Sequence, residues 1–401
     1  MPNIFQRAES DDDVKALLAD ASVNNYEAAT RLGTSEASVR RYRGRFPANG
    51  ATEAPEAPVI RDVEDVEETL SPEDQVVAYR EANARLFKQL SESKQRGAKL
   101  IQAVYDASHD AAEATAAVVA PKPKADRRKN KTAEVALWHL TDWQNGKVTS
   151  TYDSAVCERR VKQYVSKAQQ ITEIMRADHP VRHGIVLLTG DMLEGACIFP
   201  GQEWEVDATL FEQVFATVAL EEYVIKQALE TYETVDVVCE WGNHGRIGKK
   251  SDNYKPSDNV DRIIYQIVKD RLRHEKRIKN FQVSDDWYQH FSVGNYNAIA
   301  VHGDEIKSFG GQTPAYGIVR KANAWASGVT EPFRDMYIGH YHQNMTLNMA
   351  NGGSVYMAGS TESDNEYARE FVAGTSLPSQ RLHFIDPEVG FVTYESRIWL
   401  D

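Results

Sequence analysis

Five short polar stretches carry the residue types from which a metal centre is made. They are Thr141-Asp142-Trp143-Gln144, Thr189-Gly190-Asp191, Trp241-Gly242-Asn243-His244, Val301-His302-Gly303-Asp304 and Gly339-His340-Tyr341-His342. Each follows an apolar run that reads as a β-strand. The last is the most informative, because two histidines stand one residue apart just past the β-rich run Asp335–Ile338. If the chain stays extended there, side chains alternate and the two imidazoles point to opposite sides. They could then face two adjacent ions. Oxygen and imidazole ligands suit Mn²⁺, Fe, Zn²⁺ or Ni²⁺. A shared carboxylate can hold two such ions roughly 3.5–4 Å apart, close enough to clamp the attacking and leaving oxygens of a phosphoryl group.

The elements that must position these stretches are legible from residue 132 onward. Glu134–Leu140 reads as a strand, Ser154–Arg176 as a helix, His183–Leu188 as a buried strand and Ala208–Thr231 as a long amphipathic helix. Val235–Glu240 reads as a strand and Val260–His274 as a helix. This alternation argues for an α/β domain. Strands then dominate: Phe281–Ser284, Gln289–Val293, Asn297–Val301, Met336–Gly339, Ser354–Ala358, Arg381–Ile385 and Gly390–Ser396, with one helix at Pro314–Ala326. The last two strands read as a hairpin. Two packed sheets with helices outside is the expected architecture. In α/β sheets, sites form at the carboxyl ends of strands, which is where the five polar stretches fall.

The ordered set Asp142-x-Gln144, Gly190-Asp191, Gly242-Asn243-His244, His302, Gly339-His340-x-His342 resembles the calcineurin-like metallophosphoesterases, over about 135–362. The family fold, a two-sheet β-sandwich flanked by helices, agrees with the pattern above. The resemblance implies that Asp142, Gln144, Asp191 and His342 hold a first ion. Asp191, Asn243, His302 and His340 would hold a second, with Asp191 bridging. His244 would serve as proton donor or opposing cation near the leaving oxygen, and a metal-activated hydroxide would attack phosphorus in line. Two positions depart from the family pattern. Gln144 stands where His is usual, so a weaker first site favouring Mn²⁺ over Zn²⁺ is expected. Gly245 stands where many relatives have an acid. Arg246 follows and could contact a substrate phosphate, helped by Lys249 and Lys250. Glu194 is read as a supporting residue and Asp304 as one that orients His302. His109, His139, His179, His183, His274, His290 and His383 lack a matching context and are read as surface or core residues.

The N-terminal third is of another kind. Residues 1–47 read as a helical DNA-binding module. Asp13–Ala19 and Asn25–Leu32 would be its first helices, and Ser35–Arg45 a recognition helix bearing Arg40, Arg41, Arg43 and Arg45. Ala28, Ala29, Leu32, Val39 and Tyr42 would form its core. This resembles a helix-turn-helix, whose second helix lies in the major groove with Arg on phosphates or guanine edges. Residues 48–74 carry nine carboxylates against Arg61 and read as an extended acidic linker. Residues 75–120 read as one long helix. Its weak heptad, with Val76, Tyr79, Leu86, Leu90, Leu100, Val104 and Ala107, could pair two chains as a coiled-coil homodimer. Residues 121–131, with six basic side chains, read as a flexible tether.

Composition sets the outer limits. The chain has 401 residues and net charge −13, and its acidity sits mainly in residues 132–401, with 26 Lys and Arg against 37 Asp and Glu. Cys157, Cys197 and Cys239 are scattered, which suits a reducing compartment without disulfides. No apolar run reaches about 18 residues, so no membrane span is expected. The first residues lack a signal-peptide stretch, and a cytoplasmic location is expected (host cytoplasm, if the domain pairing reflects a phage origin). The function expected is a two-metal phosphodiesterase acting on nucleic acid, a DNA nuclease in particular, with Mn²⁺ as the first choice of ion. Two rivals are a phosphomonoesterase or small-substrate phosphodiesterase, and an inactive DNA-binding regulator or assembly factor.

Overall fold

The structure is a computed structural model. It describes residues 12–19, 23, 25–32, 39, 103, 105–106, 109–110, 120–123, 125–127, 132–196, 198, 202–247, 258–306, 314–362 and 377–401. The chain divides into two compact units, Met1–Ser91 and Glu92–Asp401.

In the first unit, helix α1 (Asp12–Ala19) and helix α2 (Asn25–Leu32) are as expected. Val14, Leu18, Val23, Ala28, Ala29, Leu32 and Val39 close a small apolar core. Arg40, Arg41, Arg43, Arg45, the acidic linker and most of the 75–120 stretch lie outside the described residues.

The second unit holds two sheets. The first has the order β11-β10-β1-β2-β3-β4, built from β1 (Glu134–Leu140), β2 (Val181–Thr189), β3 (Thr234–Glu240), β4 (Ile278–Val283), β10 (Ser379–Asp386) and β11 (Phe391–Trp399). Strands β1 to β4 run parallel, and β10 and β11 form the expected antiparallel hairpin. Helices α3 (Ser154–Met175), α4 (Leu210–Thr231) and α5 (Val260–Arg271) make the crossovers. The second sheet has the order β5-β6-β7-β9-β8, from β5 (Gln289–Val293), β6 (Tyr296–Ala300), β7 (Asp335–Ile338), β8 (Met345–Asn348) and β9 (Ser354–Met357). Helix α6 (Ala315–Ala324) continues into a π-turn at Trp325–Val329, where Gly328 adopts φ 119°.

Period-two alternation explains why the parallel strands look apolar throughout. Along β1, Val135 and Leu137 face the second sheet, meeting Phe291, Ala298, Ala300 and Tyr337. Ala136, Trp138 and Leu140 face the helices, with Tyr164 of α3 and Val224 of α4. Strands β6 and β7 do the same on the other side, sending Ile299, Met336 and Ile338 under α6. The fold is thus mixed α/β, two sheets packed face to face and flanked by helices.

Two features differ from expectation. Strand β8 is an edge strand of four residues whose short, half-polar Met-Thr-Leu-Asn pattern is too weak to read as a strand. The described part of the basic stretch after residue 120 is also not a free tether. Arg277 donates to the Ala120 carbonyl at 2.8 Å, Arg182 to the Asp126 carbonyl at 2.8 Å, and the Asp126 amide to Glu233 at 2.9 Å.

One polar chain is buried in the helix-facing core. Trp138 Nε1 donates to the Tyr232 hydroxyl at 2.9 Å, which is also 2.9 Å from Thr172 Oγ1. Since Thr172 itself donates to the Ala168 carbonyl, the Tyr232 hydroxyl donates to Thr172. Tyr232→Phe strands the buried indole N–H and should cost about 1–3 kcal/mol, read from urea unfolding. A loss under about 0.5 kcal/mol would mean the indole finds another acceptor.

Candidate metal centre

Six parallel strands end at one place, and the loops after them supply the site: β1 gives Asp142 and Gln144, β2 Asp191, β3 Asn243 and His244, β6 His302, β7 His340 and His342, and β9 Glu362. Among the described residues, the non-glycine residues with positive φ are Asp142 (50°), Gln144 (44°), Asp191 (55°), His340 (66°) and His342 (53°). All five belong to the expected ligand set. Such backbone costs of order 1–3 kcal/mol per residue and persists only where its surroundings enforce it. Here the enforcement is visible. Gln144 N donates to the Asp191 carbonyl at 2.9 Å, Asp142 N to the Gly190 carbonyl at 3.0 Å, and His340 N to Asp142 Oδ2 at 2.8 Å.

This corrects the reading of the histidine pair. The chain past Ile338 is not extended; both histidines are left-handed. The two rings still part, by a sharp turn rather than by strand alternation.

On one side, Asp191, His302 and His340 place a ligand atom each within 4.8 Å of one another. His302 Nε2 lies 2.9 Å from Asp191 Oδ2 and 3.1 Å from Asn243 Oδ1. Its Nδ1 faces the Thr189 carbonyl at 2.7 Å, so Nδ1 carries the hydrogen and Nε2 is turned to the site. Thr189, not Asp304, therefore orients this ring. Burial opposes charging of His302, but Asp191 outweighs it and raises the imidazole well above its usual range. His340 is pushed down to about 4 by burial and by His302, which leaves its ring neutral.

On the other side, His342 Nε2 lies 3.4 Å from Asp142 Oδ1, and its Nδ1 lies 3.0 Å from Glu362 Oε2. Burial again opposes charging, yet Asp142 and Glu362 push His342 up to about 10. Asp142 Oδ2 is satisfied by Thr141 and His340, whereas the buried Oδ1 has only a long contact, to His342 Nε2 at 3.4 Å. Buried carboxylate oxygens are normally bonded, so this one fits a cation. Gln144 lies on this side too, beside His342. Its amide nitrogen is 3.2 Å from His244 Nε2 and 3.4 Å from His342 Nε2, and its oxygen is 3.5 Å from Lys147 Nζ.

His244 sits beside both halves. Its backbone N–H donates to Asp191 Oδ1 at 2.6 Å, and its Nδ1 lies 2.9 Å from the Glu194 carbonyl and 3.2 Å from Glu194 Oε2. Burial lowers its basicity, but Glu194 and Asp191 prevail and push it up to about 9. Arg246 is paired to Asp304. Lys249 and Lys250 lie outside the described residues.

Three site residues escaped the sequence reading. Asp261, in the first turn of α5, accepts from the amides of Asp191, Met192 and Gly242 at 2.9, 3.2 and 2.9 Å and so ties the loops after β2 and β3 together. Burial and Asp191 push its carboxyl up to about 6. Glu362 and Lys147, paired at 3.0 Å, are buried beside His342 and Gln144. The cue in the sequence was a charged residue soon after each of two strands, which by itself reads as a solvated loop. Two glycines are required by the close approach of these loops: a Cβ on Gly242 would run into Asp191, and one on Gly339 into Thr141 and Asp142.

The residues present fit divalent ions in their donor set and in the loosely held Asp142 Oδ1. Ligating imidazoles must be neutral, whereas the carboxylates here hold His302 and His342 protonated without an ion. Ion binding should therefore release protons, and apparent Mn²⁺ affinity should rise across roughly pH 6 to 9. Calorimetry in buffers of different ionisation enthalpy reads this directly. Affinity that is flat with pH, with no proton released, would remove both histidines from the ligand set.

No family model and no curated protein matches this chain. Solved structures with similar backbones include a hypothetical protein of Pyrococcus horikoshii, at 14% identity and TM-score 0.31, covering 67% of this chain and 89% of that one. Zinc-complexed Vps29 of Entamoeba histolytica is similar at 10% identity and TM-score 0.29, covering 67% and 99%. A dimetal phosphatase of Danio rerio is similar at 11% identity and TM-score 0.35, covering 68% and 100%.

Proposed function

We propose that this chain is a metal-dependent phosphoesterase that hydrolyses phosphodiester bonds of nucleic acid, a DNA nuclease using Mn²⁺. The observation that carries the phosphoesterase reading is the convergence of Asp191, His302 and His340 in one group and of Asp142, Gln144 and His342 in another, with His244 beside both. Asp191, Asn243, His302 and His340 would hold one ion; Asp142, His342 and Asp191 would hold the other, with Gln144 as a further candidate. Bound ions supply an activated water at neutral pH and neutralise phosphoryl charge.

The chain's own part is to position and to protonate. Glu194 fixes the His244 ring through Nδ1 and keeps it basic. Nε2 is left facing the site, where it can give a proton to a departing oxygen. Arg246, paired with Asp304, would meet a phosphate oxygen. The nucleic-acid part of the proposal rests on the sequence of the first unit, where the small α1–α2 core is followed by Arg40, Arg41, Arg43 and Arg45. Pairing of two chains through the 75–120 stretch would present two such modules.

One observation favours a small substrate instead. Exposed Glu205, Asp207 and Glu212 flank the Gly146–Val148 segment, to which Asp207 N and Glu205 O are hydrogen-bonded. An acidic rim repels a polyanion.

The deciding assay presents linear, circular and single-stranded DNA, and bis-p-nitrophenyl phosphate, to the Mn²⁺-loaded chain. DNA cleavage is expected. His244→Ala should lower kcat about 10²–10⁴-fold with metal content intact, and Asp191→Asn should lose metal and activity together. Hydrolysis of the aryl diester with DNA untouched would replace the nuclease reading by the small-substrate one. If neither is cut, the enzyme reading falls.

A further inference from the structure

We propose that the Lys147 ammonium is a built-in cation in the half of the site made by Asp142, Gln144 and His342, and that the chain therefore binds two ions with very unequal affinity. This rests on the metal-centre reading above and names a residue that controls it.

Lys147 is 6% exposed. A buried ammonium is costly without a fixed partner, so its place has to be built. Glu362 builds it. One Glu362 oxygen lies 3.0 Å from Lys147 Nζ and the other 3.0 Å from His342 Nδ1. His342 in turn reaches Asp142 at 3.4 Å. The four side chains form a buried string in which carboxylates alternate with nitrogen bases. The second contact of Lys147 is the telling one. Its Nζ lies 3.5 Å from Gln144 Oε1, the one atom of Gln144 able to bind a cation. The Gln144 amide nitrogen lies 3.2 Å from His244 Nε2 and 3.4 Å from His342 Nε2. A divalent ion in this half thus meets a positive charge close by.

The other half differs. Asp191, His302 and Asn243 contact one another, the His244 backbone and the Thr189 carbonyl. The Arg246 guanidinium is held by Asp304, which is not in the ligand set. The tight ion accordingly belongs with Asp191, Asn243, His302 and His340.

The test is an equilibrium Mn²⁺ titration of the full chain, reading free Mn²⁺ by electron paramagnetic resonance, without any activity assay. The wild type should take up one equivalent tightly and the second at least roughly 100-fold more weakly. Lys147→Met should tighten the second equivalent by roughly tenfold or more, because a repelling charge is gone, while Lys147→Arg should stay near wild type. If Lys147 were only a structural prop for Glu362 and His342, Lys147→Met would weaken the second ion, the opposite sign. An unchanged or weakened second ion in a folded Lys147→Met overturns the proposal. So do two equivalents of similar affinity in the wild type, which decides the matter even if the Met variant fails to fold. Uptake of no ion at all would instead overturn the metal-centre reading, and this proposal with it.

Discussion

Left-handed backbone at the ends of the parallel strands is the constraint on which the site depends. A strand that simply ran on would spread its side chains over alternate faces, one layer between the sheets and one under the helices. The turn at Asp142, Gln144, Asp191, His340 and His342 instead brings successive polar side chains to one centre. Asn, Asp and His tolerate this conformation best among residues with a Cβ, and Gln is less suited to it. Glycine would relieve the strain at any of the five positions, but it would also delete the side chain that the turn exists to aim. The strain is offset by hydrogen bonds that close between loops, and the Asp261 carboxylate supplies three of them. A helix start is thereby fastened to two strand ends. The fold and the site share these bonds, so neither can loosen alone.

The second constraint is charge. Asp142, Asp191, Glu194 and Glu362 are all buried, and so many buried carboxylates cannot stay ionised without compensation. The site supplies it from within: His302 answers Asp191, His244 answers Glu194, and His342 and Lys147 share Glu362. Three of those four bases are imidazoles, which can yield their protons to an incoming ion. Lys147 cannot do so at ordinary pH, and that difference separates the two halves of the site more sharply than the ligand types do.

Much of this was legible in the sequence because it is local. Glu134–Leu140 is apolar on both faces, as a strand between helices and a second sheet must be, and its exit into Thr-Asp marks the site. The histidines and Asp191 were legible because each follows its strand within a few residues. What was not legible is what arrives from elsewhere. Asp261 looks like any acid in the first turn of a helix, Glu362 comes from a different sheet than the residue it pairs with, and Lys147 in a sequence is a surface lysine until the fold buries it. The geometry of the histidine pair was missed for a related reason: spacing gives the alternation of a strand but not the point at which the strand stops.

Gln144 joins these themes. Read alone, it is a weak ligand, a neutral amide oxygen among carboxylates and imidazoles. In place, its amide lies within reach of Lys147 and of two histidines. An imidazole at this position could offer a nitrogen to an ion but would have no oxygen to set against the buried ammonium. Lys147 and Gln144 are therefore better understood as one unit than as a lost ligand with an unrelated lysine nearby. Restoring histidine without removing the lysine would leave a buried cation facing a second base, and the half-site would remain poor. The two residues lie three apart in a single tight loop, Asp142-Trp-Gln-Asn-Gly-Lys147. The positive φ of 104° at Gly146 is the backbone turn that lets the lysine reach back into the site.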